Sequence, residues 1–207
     1  MSLSRPLRPR RAVGHLARCP HLGLLVGARN DHRALGPIGE MMASAPTLGD
    51  AFRDYVGLQI SYSRGAMVYL QNIGDDTLLG YGLYAFPGAG RQINDLVLAI
   101  GCNMVRSLTG GRADPLSTPA SVGQPINIAP YRSALKTTTL FDQEHTAVEV
   151  SARDMALPLP GPIRRDGCNF APASRRRCGA TSRTTGIVGA FQFSMMPPAS
   201  LFTARRK

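Results

Sequence analysis

The chain contains no tryptophan, and both aromatic and charged side chains are scarce. Aromatic residues make up 6% of its 207 residues and charged residues 18%. The hydrophobic fraction of 43% is slightly below the usual range of soluble proteins, yet it leaves enough apolar surface for one core of moderate size. We therefore expect a single folded domain with tails, and not a chain that is disordered throughout.

Cysteines are too few and too scattered to predict a metal site or a disulfide framework. None of them forms a C-x-x-C pair, and only the last two lie near each other in the chain. We expect reduced thiols in a cytosolic protein. The four cysteines are Cys19, Cys102, Cys168 and Cys178.

Long apolar runs are also missing, since no stretch approaches the roughly 20 residues that a membrane-spanning helix needs. The N-terminus imitates a signal peptide, because arginines precede the apolar run Leu22–Ala28. That run has only seven residues, contains two glycines and begins after a stretch too long for an ordinary basic leader. The sequence therefore predicts a soluble, cytoplasmic protein without a membrane segment.

Acidic residues are few, 13 against 24 basic ones, and the net charge is +11. This excess lies at the ends: residues 1–37 carry a net charge of +6 and residues 161–207 one of +8, whereas residues 38–160 carry −3. A DNA-reading domain is expected to hold its positive charge on a folded surface. The distribution instead predicts basic, irregular tails around a mildly acidic body.

Two long helices are predicted in this body. The first spans Thr47–Ser61, where Thr47 can cap the free backbone donors and Asp50 can reach back to it. The second spans Arg91–Leu108 and is apolar around much of its circumference, which indicates contact with a sheet and with a further partner. A shorter helix is expected at about Ile38–Ala45. The core face of the first long helix is predicted to hold Leu48, Phe52, Tyr55, Val56, Gln59 and Ile60.

An antiparallel hairpin is predicted from Met67–Ile73 and Thr77–Tyr84, with Gly74-Asp75-Asp76 as its turn. Gly80 and Gly82 face away from the apolar side of the second strand, so a helix or a ligand is expected close to that backbone. Together with the helices, the hairpin predicts an α+β domain of antiparallel strands with packed helices. Further short elements are expected near Ser121–Ile126 (strand), Pro130–Leu135 (helix), Thr137–Phe141 and Thr146–Val150 (strands) and Arg153 (helical turn).

A proline run ends the body at residues 157–162. Beyond it no apolar periodicity remains, which is typical of disorder. The predicted organisation is thus a basic tail over residues 1–20, one domain over residues 21–161, and a basic, disordered tail over residues 162–207.

Short patterns in a fixed order resemble those of a known family. They begin with His21–Gly27, Leu35–Gly39 and Ala45–Ala51, continue after the hairpin with Gln92, Asp95, Ala99 and Arg106–Gly110, and end with Pro125, Ala129–Arg132, Phe141-Asp142 and Leu157–Leu159. This series resembles the ligand-sensing N-terminal domain, often labelled arabinose-binding, of AraC-type bacterial transcription regulators. The resemblance covers residues 21–161 and implies a module that senses a small-molecule effector and dimerises.

The chain departs from this family at both ends. The helices that normally precede the His-x-Gly segment are missing, as are the aromatic and histidine residues often found before Pro125. The last 46 residues contain nothing like the helix-turn-helix domain expected after Gly161. Since both ends read like an off-frame translation of a GC-rich gene, we expect a truncated or frame-shifted regulator that cannot select an operator by itself. A free-standing sensor module is the alternative.

The expected partners follow from the same resemblance. They are an unknown small-molecule effector and a second protein chain, either another copy or an intact relative in a mixed dimer. Nucleic acid would be bound only non-specifically, through the tails.

No constellation of residues predicts catalysis. The loop Phe86–Ile93 stands between a strand and a helix, as a dinucleotide-binding turn does, but Ile93 replaces the third glycine and no acidic ribose partner follows. Neither a G-x-S-x-G elbow, an H-E-x-x-H pair nor a Walker loop occurs. We predict no enzyme and no catalytic, cofactor-binding, metal-binding or DNA-binding residues, and we leave the effector contacts open. The histidines have no partners at ligand or triad spacing: His15, His21, His32 and His145.

The competing functional class is a nucleic-acid-associating protein that acts through its arginine-rich tails. Such binding would be sensitive to salt and blind to sequence. The sensing module is preferred, because the tail charge is accompanied neither by a folded basic face nor by aromatic platforms. The oligomeric state and stabilisation by a ligand would distinguish the two.

Overall fold

A five-stranded sheet and two long helices organise the chain in a computed structural model that describes residues 19–63, 65–83 and 90–161. The α+β class of the body is confirmed, while the tails fall outside these residues. The helices are α1 Leu22–Gly27, α2 Pro37–Ala43, α3 Leu48–Tyr62, α4 Gly90–Leu108, α5 Ala129–Leu135 and α6 Ala152–Met155, with a 3₁₀ helix at His32–Leu35. The strands are β1 Ala66–Ile73, β2 Asp76–Leu83, β3 Ser117–Pro119, β4 Thr138–Leu140 and β5 Thr146–Val150.

The sheet has the strand order β1-β2-β5-β3-β4. The predicted hairpin is confirmed, since β1 and β2 pair antiparallel from Ala66 opposite Leu83 to Ile73 opposite Asp76. Strand β5 continues this antiparallel pattern beside β2. One pair differs from the expectation of antiparallel strands, because β3 and β4 run parallel.

The strand predicted near Ser121–Ile126 is wrong. The strand lies earlier, at Ser117–Pro119, where Ser117 and Thr118 are buried between β5 and β4. The predicted segment is mostly exposed and contains Gly123 and Pro125. Proline cannot donate to a ladder, and glycine weakens a strand, so the segment forms a loop.

The cap of α3 forms as the sequence predicts. The backbone N–H of Asp50 donates to Thr47 Oγ1 at 3.1 Å, and the Thr47 hydroxyl donates to Asp50 Oδ2 at 2.7 Å. The shorter helix α2 begins one residue earlier than predicted, at Pro37, a position where the missing N–H removes no helical bond. Gly36 precedes it with φ of 60°, a conformation that favours glycine.

Most of the predicted core face of α3 is buried, but Ile60 is not. Phe52 and Leu48 are fully buried, whereas Ile60 is 74% exposed. Ile60 follows directly after the buried Gln59, and a rotation of 100° per residue is enough to carry its side chain past the edge of the apolar stripe. The prediction for Ile60 is therefore wrong.

Helix α4 is buried on nearly all sides because α1 covers the side that the sheet leaves free. A Cβ atom added to Gly23 would lie 1.9 Å from the carbonyl oxygen of Gln92, and one added to Gly27 would lie 2.5 Å from that of Leu96. The two helix backbones can approach this closely only through glycine. The second partner predicted for α4 is thus α1 of the same chain.

The C-terminal end of the domain pairs with the segment that precedes α3. The Leu48 N–H donates to the Leu157 carbonyl at 3.1 Å, and the Leu159 N–H donates to the Pro46 carbonyl at 3.0 Å. The segment at residues 45–48, at the start of α3, therefore pairs with the segment at residues 157–159, after α6. Within residues 19–161 as described, no helix is long and apolar enough to cross a membrane.

Candidate functional site

A cavity of about 50 Å³ lies between α3, α4 and the sheet. Its walls are mainly apolar, and four side chains with polar groups line it: Tyr55, Gln59, Tyr81 and Thr146. No charged side chain of the described residues is part of the lining. The apolar lining includes Leu35, Val68, Leu79, Leu98, Ile100, Met104 and Val148.

Gln59 is the unusual member of this lining. Its side chain is 2% exposed, and its Oε1 atom has no hydrogen-bond partner among the described residues. A buried acceptor without a donor costs about 1–3 kcal/mol. An amide on the apolar face of α3 therefore costs stability unless something donates a hydrogen bond to it.

Tyr55 lies one helical turn before Gln59 and lines the same cavity. Burial raises the pKa of its hydroxyl well above the usual range, and the neighbouring Tyr81 raises it further. The hydroxyl is therefore neutral at physiological pH. The polar groups in this cavity are neutral hydrogen-bonding groups and not ions.

A second, more open space adjoins the cavity. This cleft has a volume of about 300 Å³ and shares Tyr81 and Thr146 with the cavity. The Thr146 hydroxyl lies 2.7 Å from Ser121 Oγ, and Asn94 Nδ2 donates to Ser121 Oγ at 3.2 Å. Unlike the cavity, the cleft has an acidic side chain in its lining, that of Glu144, together with the polar groups of Tyr69, Asn94, Ser121 and His145.

The expectation of a helix over Gly80 and Gly82 is wrong for the described residues, whereas that of a ligand there stays a prediction. The ring of Tyr69 lies over Gly80, so that a Cβ atom there would be 2.2 Å from Tyr69 Cζ. A Cβ atom on Gly82 would meet nothing within 4 Å. The opposite face of β2, with Leu79 and Tyr81, lines the cavity instead.

Asp95 is a buried carboxyl outside the cavity. Its side chain is 0% exposed, its Oδ1 atom accepts a hydrogen bond from the Tyr131 hydroxyl at 2.6 Å, and its Oδ2 atom has no partner among the described residues. Burial raises the pKa of Asp95 to about 6, although the Tyr131 hydrogen bond and the charge of Arg91 act in the opposite direction. The contact joins α4 to α5.

The residues of α4 that carry the resemblance to the family connect this helix to neighbouring secondary-structure elements. Gln92 Oε1 accepts from the Gly23 N–H and its Nε2 atom donates to the Pro20 carbonyl, both at 2.6 Å. Arg106 Nη2 donates to the Leu135 carbonyl at 2.7 Å. These contacts, like that of Asp95, fasten α1 and α5 to α4, and none of these residues lines the cavity.

The histidines acquire contacts that sequence spacing did not reveal. His32 Nδ1 lies 2.8 Å from Ser107 Oγ and 3.9 Å from Asp31 Oδ1. A Ser-His-Asp relay uses both ring nitrogens, whereas here both neighbours face Nδ1. Burial lowers the pKa of His32, which suits a neutral ring that joins the 3₁₀ helix to α4.

The remaining histidines do not form a cluster. His145 Nδ1 lies 3.0 Å from the Tyr69 hydroxyl at the cleft, and His21 precedes α1. His15 lies outside the described residues. In the part of the chain that the structure describes, no group of three His, Cys, Asp or Glu side chains could hold a metal ion.

The loop considered for dinucleotide binding is described only in part. Residues 84–89 lie outside the described ranges, and Ile93 is buried in the first turns of α4. Strand β2, which precedes the loop, is antiparallel to both of its neighbours, as the sequence predicts.

Comparison with known proteins identifies a family. The model of the arabinose-binding domain of AraC transcription regulators, N-terminal, matches residues 8–159. Among solved structures, the crystal structure of the transcriptional regulator CdpR from Pseudomonas aeruginosa is similar, with a TM-score of 0.57 and 16% identity. The match covers 74% of this chain and 53% of that one, so the chain spans about half the length of that regulator. No curated protein matches.

Proposed function

Because the chain belongs to the family of arabinose-binding N-terminal domains of AraC transcription regulators, we propose that residues 21–161 sense a small-molecule effector in the cavity between α3, α4 and the sheet. The observation that carries this proposal is the unpartnered Gln59 carbonyl in an otherwise apolar cavity. Ligand sites are mainly apolar, with a few placed polar groups that orient the ligand. The name of the family is not evidence that the effector is a sugar.

The position of the cavity supports a sensing role. Its lining comes from both long helices, three strands and the 3₁₀ helix. A ligand that changes the spacing of α3 and α4 would therefore change the packing of the whole core. A ligand shifts a protein toward the state that it binds more tightly, so this arrangement can couple occupancy to the outer surface of the domain.

We further propose that regulation by this domain acts through dimerisation, either with a second copy or with an intact regulator, and not through operator recognition by the domain itself. The described residues carry nine basic and twelve acidic side chains, a net charge of −3. This balance does not favour contact with phosphates. Non-specific binding through the arginine-rich ends concerns residues 1–18 and 162–207, outside the described residues, and stays the competing prediction.

The test is a thermal-unfolding screen of small, neutral amphipathic compounds, followed by two variants. Val97→Phe places a larger side chain in the cavity lining, and Ile60→Phe adds the same ring at an exposed site outside it. Compounds that bind the cavity should raise Tm in proportion to occupancy in the wild type and in Ile60→Phe. Their effect should disappear in Val97→Phe.

Two outcomes would overturn the proposal. One is that no compound raises Tm, which would indicate a purely structural product. The other is that Val97→Phe, folded as judged by circular dichroism, responds to the same compounds as strongly as the wild type.

A further inference from the structure

The cavity is too small to hold an ordinary effector alone. An engineered cavity of about 150 Å³ in another protein binds benzene. At about 50 Å³, the cavity beside Gln59 has room for only a short terminal group. The remainder of any larger ligand must lie in an adjoining space.

The cleft is such a space. It is about six times larger than the cavity, at about 300 Å³, and Tyr81 and Thr146 belong to both linings. A ligand that passes these two side chains would therefore run from an apolar compartment into a polar one. Thr146, one of these two shared residues, is hydrogen-bonded to Ser121.

The chemistry of the two compartments differs. Among the described residues no charged side chain lines the cavity, and burying an ion without a partner is costly. Its lining offers the Gln59 carbonyl oxygen, which accepts but does not donate a hydrogen bond. The cleft offers hydroxyl, amide and imidazole groups, and the carboxyl group of Glu144, to a polar end.

We propose that the cavity and the cleft form one binding site for an uncharged, elongated amphipathic molecule. Its leading O–H or N–H group donates to Gln59 Oε1, and its polar tail passes Tyr81 and Thr146 into the cleft. This inference rests on the proposed function, since it assumes that the cavity is the effector site, and it adds the chemical class of the effector.

The probes are α,ω-alkanediols of four to ten carbons, their dimethyl ethers and the dicarboxylates of equal length. Dissociation constants are taken from the dependence of Tm on probe concentration. At least one diol should bind. Its dimethyl ether, which lacks the donor, should bind about tenfold more weakly, the equivalent of one hydrogen bond. The dicarboxylate of the same length should not raise Tm.

Three variants locate the two ends of the probe. Gln59→Met removes the acceptor but keeps the length of the side chain, so diol affinity should fall about tenfold while ether affinity should not change. Gly82→Phe fills the cleft at a position where an added Cβ meets nothing within 4 Å, and it should weaken the longer diols at least tenfold. Gly57→Phe is the matched control, open in the same sense but absent from both linings, and it should bind diols like the wild type.

The outcomes separate this inference from the proposed function. If Val97→Phe abolishes diol binding but neither Gln59→Met nor Gly82→Phe alters it, the cavity is the site and the inferred chemistry is wrong. If diols and ethers bind equally well, or dicarboxylates bind best, the inferred chemistry is also overturned. If diols stabilise the wild type and Val97→Phe to the same extent, both proposals are wrong.

Discussion

The buried carboxyl of Asp95 should make the domain less stable at neutral pH than at acidic pH. Burial raises its pKa from 3.8 to about 6. The folded protein thus holds the proton more tightly than the unfolded chain does. The resulting stabilisation is complete below a pH of about 4 and is lost as the pH rises through about 6.

The size of this effect follows from the pKa. A tenfold change in an equilibrium corresponds to about 1.4 kcal/mol, so the complete change amounts to about 3 kcal/mol in the free energy of unfolding. Asp95→Asn keeps an acceptor for the Tyr131 hydroxyl and cannot ionise. The free energy of unfolding of Asp95→Asn, minus that of the wild type, should therefore increase by about 2 to 3 kcal/mol between pH 4 and pH 8.

The assay is urea unfolding followed by circular dichroism at a series of pH values. Asp54→Asn, at an exposed position on α3, is the control that makes the same substitution outside the core. Tyr131→Phe removes a donor that lowers the Asp95 pKa, so it should move the transition to higher pH. The reasoning would be refuted if the difference in the free energy of unfolding between Asp95→Asn and the wild type stays constant or decreases as the pH rises. The carboxylate would then be stabilised by Arg91.

Three further predictions concern packing and DNA. Gly27→Ala should lower the free energy of unfolding by about 1–3 kcal/mol, because the new Cβ would lie 2.5 Å from the Leu96 carbonyl oxygen. Gly57→Ala, with open space around it, should raise that free energy by up to about 1 kcal/mol. Equal effects of the two substitutions in chemical denaturation would contradict the contact between α1 and α4. Leu96→Ala should cost about 2–5 kcal/mol in the same assay, and a loss near zero would place α4 at the surface. In a salt titration, operator and scrambled duplexes should bind with equal affinity that falls steeply with salt, and a preference of about a thousandfold for operator would mean that the chain reads sequence.

Sequence patterns predicted those structural elements that are determined by residues close together in the chain. The Thr47 cap, the apolar stripes of both long helices and the turn at Gly74-Asp75 each depend on neighbours within a few residues. Asp76, which the sequence predicts in the turn, instead begins β2 opposite Ile73. The parallel pairing of β3 with β4 and the docking of α1 depend on contacts that are distant in sequence. The Gly23–Gln92 hydrogen bond, for example, spans 69 positions.

The candidate site was harder to predict for a related reason. Most of the family-like residues hold elements together, as Gln92 and Asp95 do, so the resemblance points to the fold and not to the cavity. One signal was present in the sequence: Gln59 is an amide on a helical face that is otherwise apolar. The pattern places Gln59 on the core side, but only the arrangement of α3, α4 and the sheet around it reveals a cavity there.

The central claim is that the cavity beside Gln59 binds the effector, and methyl NMR tests it most directly. The probe is the compound of the neutral screen that raises Tm most. On titration it should shift the methyl signals of the lining residues Leu79, Leu98 and Met104 while leaving those of the exposed Leu116 and Leu140 unchanged. Shifts confined to the exposed methyl groups, with the lining unperturbed at saturation, would contradict the claim.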